Sequence, residues 1–230
     1  MDDPPNSPTI IEIRSAARGR QRLLTLSDGR EFVFSDEACE RIGVATGQEA
    51  TPDLFEALEK SERRVSAHDA ALRLLSHRSR SENEMRTRLA MRGVSPGAID
   101  DEIDRLRNAG LLDDQKFAAA WVEDRKRISP RGRRMLRYEL LGRGIAPDSA
   151  DLATQDVDDR ETAIELARAR ARRGSLTTYE AFVTKVGGLL RRRGFDYEVS
   201  ATATRLAWDE AVREREALDG PPEHDAHPAD

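Results

Sequence analysis

Near the amino terminus, apolar and polar positions alternate. Ile11 and Ile13 flank Glu12, Leu24 and Leu26 flank Thr25, and Phe32 and Phe34 flank Val33, the two-residue period of strands with one buried face. Asp28-Gly29, between the second and third runs, predicts a type I′ hairpin turn, whose two central residues both need positive φ. These runs form a three-stranded antiparallel sheet. Ser35 caps a short helix through Ala38, Cys39 and Ile42 that stops near Gly43; this helix and the Leu54, Phe55, Leu58 face behind Pro52 cover the sheet. Cover is needed because three strands expose too much of one face to stand alone. Cys39 reads as a small buried hydrophobe and not as a nucleophile.

From about Glu62 to Glu214 the period is that of helices, and the helix ends are legible. Ser81-x-x-Glu84 and Thr177-x-x-Glu180 have the form of capping boxes, in which hydroxyl and carboxylate satisfy free backbone N–H groups reciprocally. Ser95-Pro96 and Ser129-Pro130 put a cap before a proline at the first helical position. Gly93, Gly110, Gly144 and Gly194 each follow an apolar or basic last turn, as left-handed C-terminal caps do.

Three of those glycines share a context. Leu89 to Gly93-Val94, Leu140 to Gly144-Ile145 and Leu190 to Gly194-Phe195 each carry Arg directly before the glycine, at spacings of 51 and 50 residues. A fixed period of this length marks a tandem repeat. Each unit reads as three helices: 68–78, 82–92 and 96–108; then 114–127, 130–142 and 147–154; then 160–173, 178–192 and 197–213. The expected organisation is a disordered 1–8, a small β-hairpin and helix domain over 9–61, repeats at 62–110, 111–156 and 157–215, and a disordered acidic tail at 216–230. Short helices bury little alone, so neighbours must stack. The fold class is mainly α: an elongated, curved array of three tandem three-helix repeats, with a small amino-terminal three-stranded antiparallel β unit plus helix.

Composition agrees with a narrow core. Of 230 residues 38% are hydrophobic and 35% charged, against roughly 45–50% and 25% in average globular proteins. With no long apolar run and an acidic, proline-broken start, the chain is expected to be cytoplasmic, with no membrane segment or signal peptide. One cysteine and four histidines without CxxC or HExxH spacing predict no disulfide, no metal and no cofactor.

The net charge of −5 conceals an uneven distribution. Asp209 to Asp230 carries −6, leaving +1 for the rest, and Arg125 to Ile145 alone carries +7. That middle holds Arg125, Lys126, Arg127, Arg131, Arg133, Arg134, Arg137 and Arg143 against Glu139. Further knots are Arg168, Arg170, Arg172 and Arg173, and Lys185 with Arg191, Arg192 and Arg193. A single such run is ordinarily a solvated helix face. An arginine before a C-terminal glycine also meets the helix dipole's negative end while facing solvent. The excess beyond those caps points to an anionic partner, bound more weakly as salt rises, and to a tail whose removal tightens that binding.

Gly110-Leu111-Leu112-Asp113-Asp114-x-x-Phe117-Ala118-x-x-Trp121-Val122-x-x-Arg125, followed by Arg131-Gly132-x-Arg134-x-Leu136 and Leu140-x-x-x-Gly144-Ile145, resembles the central signature of the RecX family. Ala71-Leu72-x-Leu74-Leu75, Arg78-x-Arg80-Ser81-Glu82-x-Glu84 and Arg92-Gly93 are similar to the family's first repeat, and Arg192-Arg193-Gly194-Phe195-x-Tyr197 to its third. The resemblance covers roughly residues 65 to 213. The chain departs from it in Asp148 to Asp159, acidic and poor in large apolar residues, and in the acidic extension. What the resemblance implies is a non-catalytic, monomeric modulator of the RecA recombinase, most often an inhibitor, bound within the helical groove of the RecA filament on single-stranded DNA.

Spacing divides the roles. Leu111, Leu112, Phe117, Trp121 and Val122 read as core, with Asp113 capping the helix that carries the last three, so the signature, with Gly93, Gly110, Asp114, Gly144 and Gly194, is structural. Contact is assigned to the eight basic residues of the middle segment, then to Arg191, Arg192 and Arg193. Reversing Arg131, Arg133 and Arg134 to Glu is expected to abolish inhibition and spare the fold. Rival readings are a metal-dependent nuclease using Asp113-Asp114 or Asp158-Asp159, a sequence-specific helix-turn-helix regulator, and a helical scaffold for another partner. Carboxylate pairs at helix starts are ordinary caps, no phosphate-binding loop is present, and the basic residues spread over repeats instead of one recognition helix.

Overall fold

A computed structural model describes residues 7–16, 20–173 and 178–219, divided into two compact units, Met1–Asp113 and Asp114–Asp230.

In the first unit, strands β1 (Ile10–Ser15), β2 (Gln21–Leu26) and β3 (Glu31–Ser35) pair antiparallel in that order. The alternation predicted for β1 is out of phase at its start. Ile10, not Ile11, pairs with Leu26, Glu12 pairs with Thr25, and the register shift between them leaves Ile11 as a bulge residue 54% exposed. A bulge inserts one unpaired residue and flips the side chains before it. The type I′ turn is also replaced. Gly29 has φ +84°, whereas every described residue with positive φ is a glycine, so Asp28 does not take the second positive φ that type I′ needs. Gly29 N–H donates to the Leu26 carbonyl and Leu26 N–H to that of Arg30, each at 2.9 Å, giving a three-residue loop with glycine at its left-handed position.

Helix α1 (Asp36–Ile42) starts where Ser35 Oγ accepts the Ala38 N–H at 3.2 Å and ends at Gly43, φ +74°. Ile10, Leu24, Leu26, Phe34, Cys39, Leu54 and Leu58 form one core. Burial pushes the Cys39 thiol pKa up, consistent with an inert packing role.

The expected boundary between 61 and 62 falls inside a continuous helix, α2 (Pro52–His77), about 39 Å long at 1.5 Å per residue. Its first half lends Leu54 and Leu58 to the sheet's core. Its second half lends Ala70, Ala71 and Leu74 to a second core, with Met85 and Leu89 of α3 (Glu82–Ala90) and Ile99, Ile103 and Leu106 of α4 (Pro96–Asn108). The β unit and the first repeat share this helix.

The second unit holds α5 (Asp114–Ile128), α6 (Arg133–Leu141), α7 (Pro147–Thr154), α8 (Asp159–Arg173), α9 (Tyr179–Phe182), a π-helical segment Val183–Gly187, α10 (Gly188–Arg192) and α11 (Tyr197–Asp219). Ser129 caps nothing here, because α6 begins at Arg133 after Gly132. Thr177 lies outside the described residues; Thr178 is the cap, accepting the Ala181 N–H at 3.2 Å. The third helix of the second repeat is formed, with Ala150 buried in its core. The first four residues of the expected tail, 216–219, continue α11, and 220–230 lie outside the described residues. So do 1–6 of the expected disordered start, whereas the Pro8 carbonyl accepts the Ala50 N–H at 2.7 Å.

The repeat holds in atomic detail. Met85, Leu136 and Val186 are equivalent buried positions, as are Leu89, Leu140 and Leu190. Arg86 pairs with Asp100, and 51 residues on Arg137 pairs with Asp151. Thr154 and Thr204, 50 apart, are both buried, each hydroxyl donating to the carbonyl four residues back at 2.8 and 2.7 Å. The caps of the middle helices, Ser81 and Gly132, both precede the left-handed glycine by twelve residues; Thr178 precedes Gly194 by sixteen. The third middle helix is therefore longer by about one turn, and the π segment lies within it.

Candidate partner interface

The basic middle segment divides once its partners are known. Glu139, its one acid, is a hub. Its Oε2 accepts from Trp121 Nε1 at 3.0 Å and Arg125 Nε at 2.8 Å, and Arg131 Nε lies 2.7 Å from Oε1 as an ion pair. The side chain of Glu139 is 14% exposed, those of Arg125 and Arg131 27% and 28%. The guanidinium carbons of Arg125 and Arg143 stand 4.1 and 3.6 Å from the Trp121 ring centroid, a cation–π arrangement, and Phe117 stacks beside the ring at 6.2 Å. Arg125, Arg131 and Arg143, expected as contacts, thus hold α5 and α6 together. Reversing Arg131 to Glu would set one carboxylate against another, so the expected sparing of the fold does not extend to that position.

Other members are also engaged. Arg137 Nε donates to Asp151 at 2.5 Å, which raises the arginine's pKa and holds the carboxyl below its usual range. Arg193 donates to the Pro130 carbonyl at 3.0 Å, and burial lowers its pKa. The arginines before Gly144 and Gly194 are therefore partly buried, contrary to the solvent-facing caps expected. Lys126 and Arg127 pair with Glu123 and Asp124 at the surface, contacts worth about 0–1 kcal/mol that a partner readily displaces. Arg133, Arg134, Arg191 and Arg192 are exposed and form no ion pair among the described residues.

Two of the arginine runs meet. Gly132 N–H donates to the Arg193 carbonyl at 2.9 Å, which joins Arg131–Arg134 to Arg191–Arg193. A Cβ on Gly132 would lie 2.8 Å from the Gly194 carbonyl oxygen. The first repeat has Ser81 at this position, buried and capping its own helix through Glu84 N–H at 3.1 Å. Glycine forfeits that cap, and Asp159 substitutes from another element, accepting the Arg133 N–H at 2.7 Å.

Burial raises the Asp159 carboxyl pKa, against the lowering effect of that hydrogen bond. With its folded pKa above the unfolded value, ionisation costs stability at neutral pH, and the cost fades as pH falls through the folded pKa. Asp159→Asn, which keeps an oxygen acceptor, should melt above wild type at neutral pH by circular dichroism. The gap should close on acidification; a gap that widens would contradict this reading.

Within the signature, Leu112, Phe117 and Val122 are buried, Trp121 is half-buried, and Asp113 and Asp114 are half-buried at the start of α5. Leu111 departs from its expected core role, being 50% exposed. Gly93, Gly110, Gly144 and Gly194 all have positive φ. The Asp158 carboxylate of the rival nuclease reading caps α8, accepting the Arg160 and Glu161 N–H groups at 2.9 Å. Among the described residues no group of His, Cys, Asp and Glu is placed to hold a metal ion, and no helix is long and apolar enough to cross a membrane. Sequence reasoning missed Glu139 as a hub, although its isolation among eight bases was a signal. It also missed Tyr138, which is 73% exposed on α6.

Comparison with known proteins gives a consistent result. Residues 67–106 match the family model for the first three-helix domain of RecX, and residues 113–153 that for the second. The regulatory protein RecX of Mycobacterium ulcerans (strain Agy99) is 37% identical over 142 residues, spanning 60% of this chain and 82% of that protein. That of Mycolicibacterium smegmatis is 32% identical over 172 residues, spanning 72% and 90%. A crystal structure of a regulatory protein RecX superposes with a TM-score of 0.71 at 21% identity, covering 86% of this chain and 99% of that one. The structure of RecX from Lactobacillus salivarius gives 0.57 at 24%, covering 64% and 97%. With the paired three-helix repeats, the Trp121 signature and relatives matched over most of their length, this chain belongs to the RecX family of regulatory proteins.

Proposed function

We propose that this protein modulates the RecA recombinase by seating within the helical groove of the RecA filament on single-stranded DNA. It inhibits strand exchange, ATP hydrolysis and the co-protease activity of the SOS response, acting as a cytoplasmic monomer without a catalytic group. RecX family membership supports the partner. The observation that carries the mode of binding is the set of exposed arginines in the second and third repeats that form no ion pair among the described residues. Repeated modules facing a repeating polymer engage it at several points, so weak contacts add through effective concentration. Occupying the groove blocks strand access or favours a filament state that sheds protomers.

Cosedimentation with preformed RecA filaments on single-stranded DNA tests this. Binding is expected at low salt and should fall steeply as salt rises. Absence of binding at low salt would overturn the reading.

A further inference from the structure

The chain treats the two edges of its sheet differently. Along β1, Ile10 N–H donates to the Gln48 carbonyl at 2.9 Å and Ala50 N–H to that of Pro8 at 2.7 Å, and a bulge interrupts the strand at Ile11. Covering and bulging both keep an edge from pairing with another chain. Strand β3 has neither. Asp36 N–H donates to the Arg20 carbonyl at 3.0 Å and Leu26 N–H to that of Arg30 at 2.9 Å. By the alternation of an antiparallel ladder, Phe32 and Phe34 therefore bond to β2, while Glu31, Val33 and Ser35 turn their backbone groups away from it. Ser35 bears out this phase, since its N–H donates outward to Glu62 Oε2 of α2 at 2.7 Å. Among the described residues the outward groups of Glu31 and Val33 meet no partner.

Side chains on both faces of this edge are apolar. Val33 is 50% exposed, beside its cross-strand neighbour Leu23. On the opposite face the Phe32 ring lies 4.5 Å from that of Phe55 on α2, and both residues are half-buried. With Phe55 on Phe32 and Glu62 on Ser35, α2 runs alongside the edge in the direction of β3. At the Ser35 end there is a cleft of about 880 Å³, lined by the carboxylates of Asp36, Glu37, Glu40, Glu62 and Asp69 against two arginines. Asp36 and Glu40 share Arg22, and Glu37 takes Arg41. Asp69, exposed on α2, forms no ion pair among the described residues.

We propose that β3 takes up an extended segment of a partner protein as a fourth strand, with aliphatic residues over Val33 and over the Phe32–Phe55 pair and with lysine or arginine at the end that enters the cleft. In strand addition the main-chain hydrogen bonds supply affinity and alternate side chains supply specificity. The outward groups of Glu31 and Val33 are the main-chain half of that arrangement, and the carboxylates set the sign of the charge. A nucleic-acid strand is the wrong occupant for a cleft of this sign. A second copy of this chain is a poorer match, because pairing β3 with itself about Val33 sets Ser35, whose N–H is already taken, opposite Glu31. The surface belongs to the first unit, and the inference goes beyond the proposed function without resting on it.

Fluorescence anisotropy of the full chain with two labelled synthetic peptides tests this. Each alternates valine and threonine and carries a lysine pair at its amino or its carboxyl end, so that antiparallel and parallel addition are both covered. One of them should bind, and its counterpart with glutamates in place of lysines should bind about tenfold or more weakly. Methylating alternate amide nitrogens of the peptide should abolish binding for the set that faces β3 and spare the other set. Val33→Pro should weaken binding about tenfold and melt near wild type, because the lost N–H faces solvent, where an edge strand accepts proline. Asp69→Asn should weaken it about threefold, within the worth of an exposed pair, and leave a lysine-free peptide unaffected. Failure of both lysine peptides to bind would overturn the proposal, as would equal effects of the two methylated sets, which test the edge without altering the protein, or wild-type affinity in Val33→Pro. Sedimentation velocity of the chain alone should show one species; a dimer that Val33→Pro dissolves would give the edge to a second copy and overturn the proposal too.

Discussion

Gly194→Ala is expected to destabilise the second unit by about 3 kcal/mol, combining roughly 1–2 for a side chain in the left-handed region with roughly 1–3 for overpacking. The backbone there has φ +93°, and an added Cβ would fall 2.4 Å from Met135 Cβ and 3.0 Å from Met135 N. Neither neighbour gives way cheaply, since both are fixed in the first turn of α6. Two variants divide the effect. Gly93→Ala meets the same positive φ, +78°, with nothing within 4 Å of the new atom, so it should lose only the conformational part. Gly132→Ala has an ordinary φ of −70° but would press on the Gly194 carbonyl, so it should lose only the packing part. Urea unfolding should rank Gly194→Ala as the most damaging. Equal losses for Gly194→Ala and Gly93→Ala would mean that Met135 yields without cost.

The sequence disclosed what depends on local periodicity. Helix ends marked by Ser81, Pro96 and the left-handed glycines lie where expected, because caps and positive φ are properties of a few neighbouring residues. It misled where one element serves two neighbours or where distant segments meet. Helix α2 carries apolar residues for two cores in succession, and nothing in its periodicity marks the change. Ile11 looked inward because a bulge leaves no compositional trace. The candidate partner surface was legible as a charge surplus but not as individual residues. Whether an arginine is spent on Glu139 or left exposed depends on which side chains α5 and α6 bring together, information that only the folded chain contains.

Glu139→Leu should cost about 3 kcal/mol, near the lower end for removing one partner of a buried ion pair because the two arginines retain some solvent. The carboxylate accepts from Trp121 and Arg125 and neutralises Arg131. Leucine removes both acceptor oxygens, leaves the Arg125 and Arg143 guanidinium groups over the Trp121 ring without a counter-charge, and strips Arg131 of its ion pair. Repulsion among them adds to the lost hydrogen bonds, and the indole N–H loses its partner. Glu139→Gln keeps an acceptor and removes the charge, so its loss should be intermediate. A further change of Arg131 to Met in the leucine background removes one uncompensated cation and should restore part of the stability, giving a coupling energy in a double-mutant cycle. If Glu139→Leu unfolds at the wild-type urea concentration, the cluster is a surface ornament and its arginines return to the pool available to a partner. If it unfolds early yet binds filaments normally while folded, Arg125, Arg131 and Arg143 belong to the scaffold and the contact lies with the arginines that Glu139 does not hold.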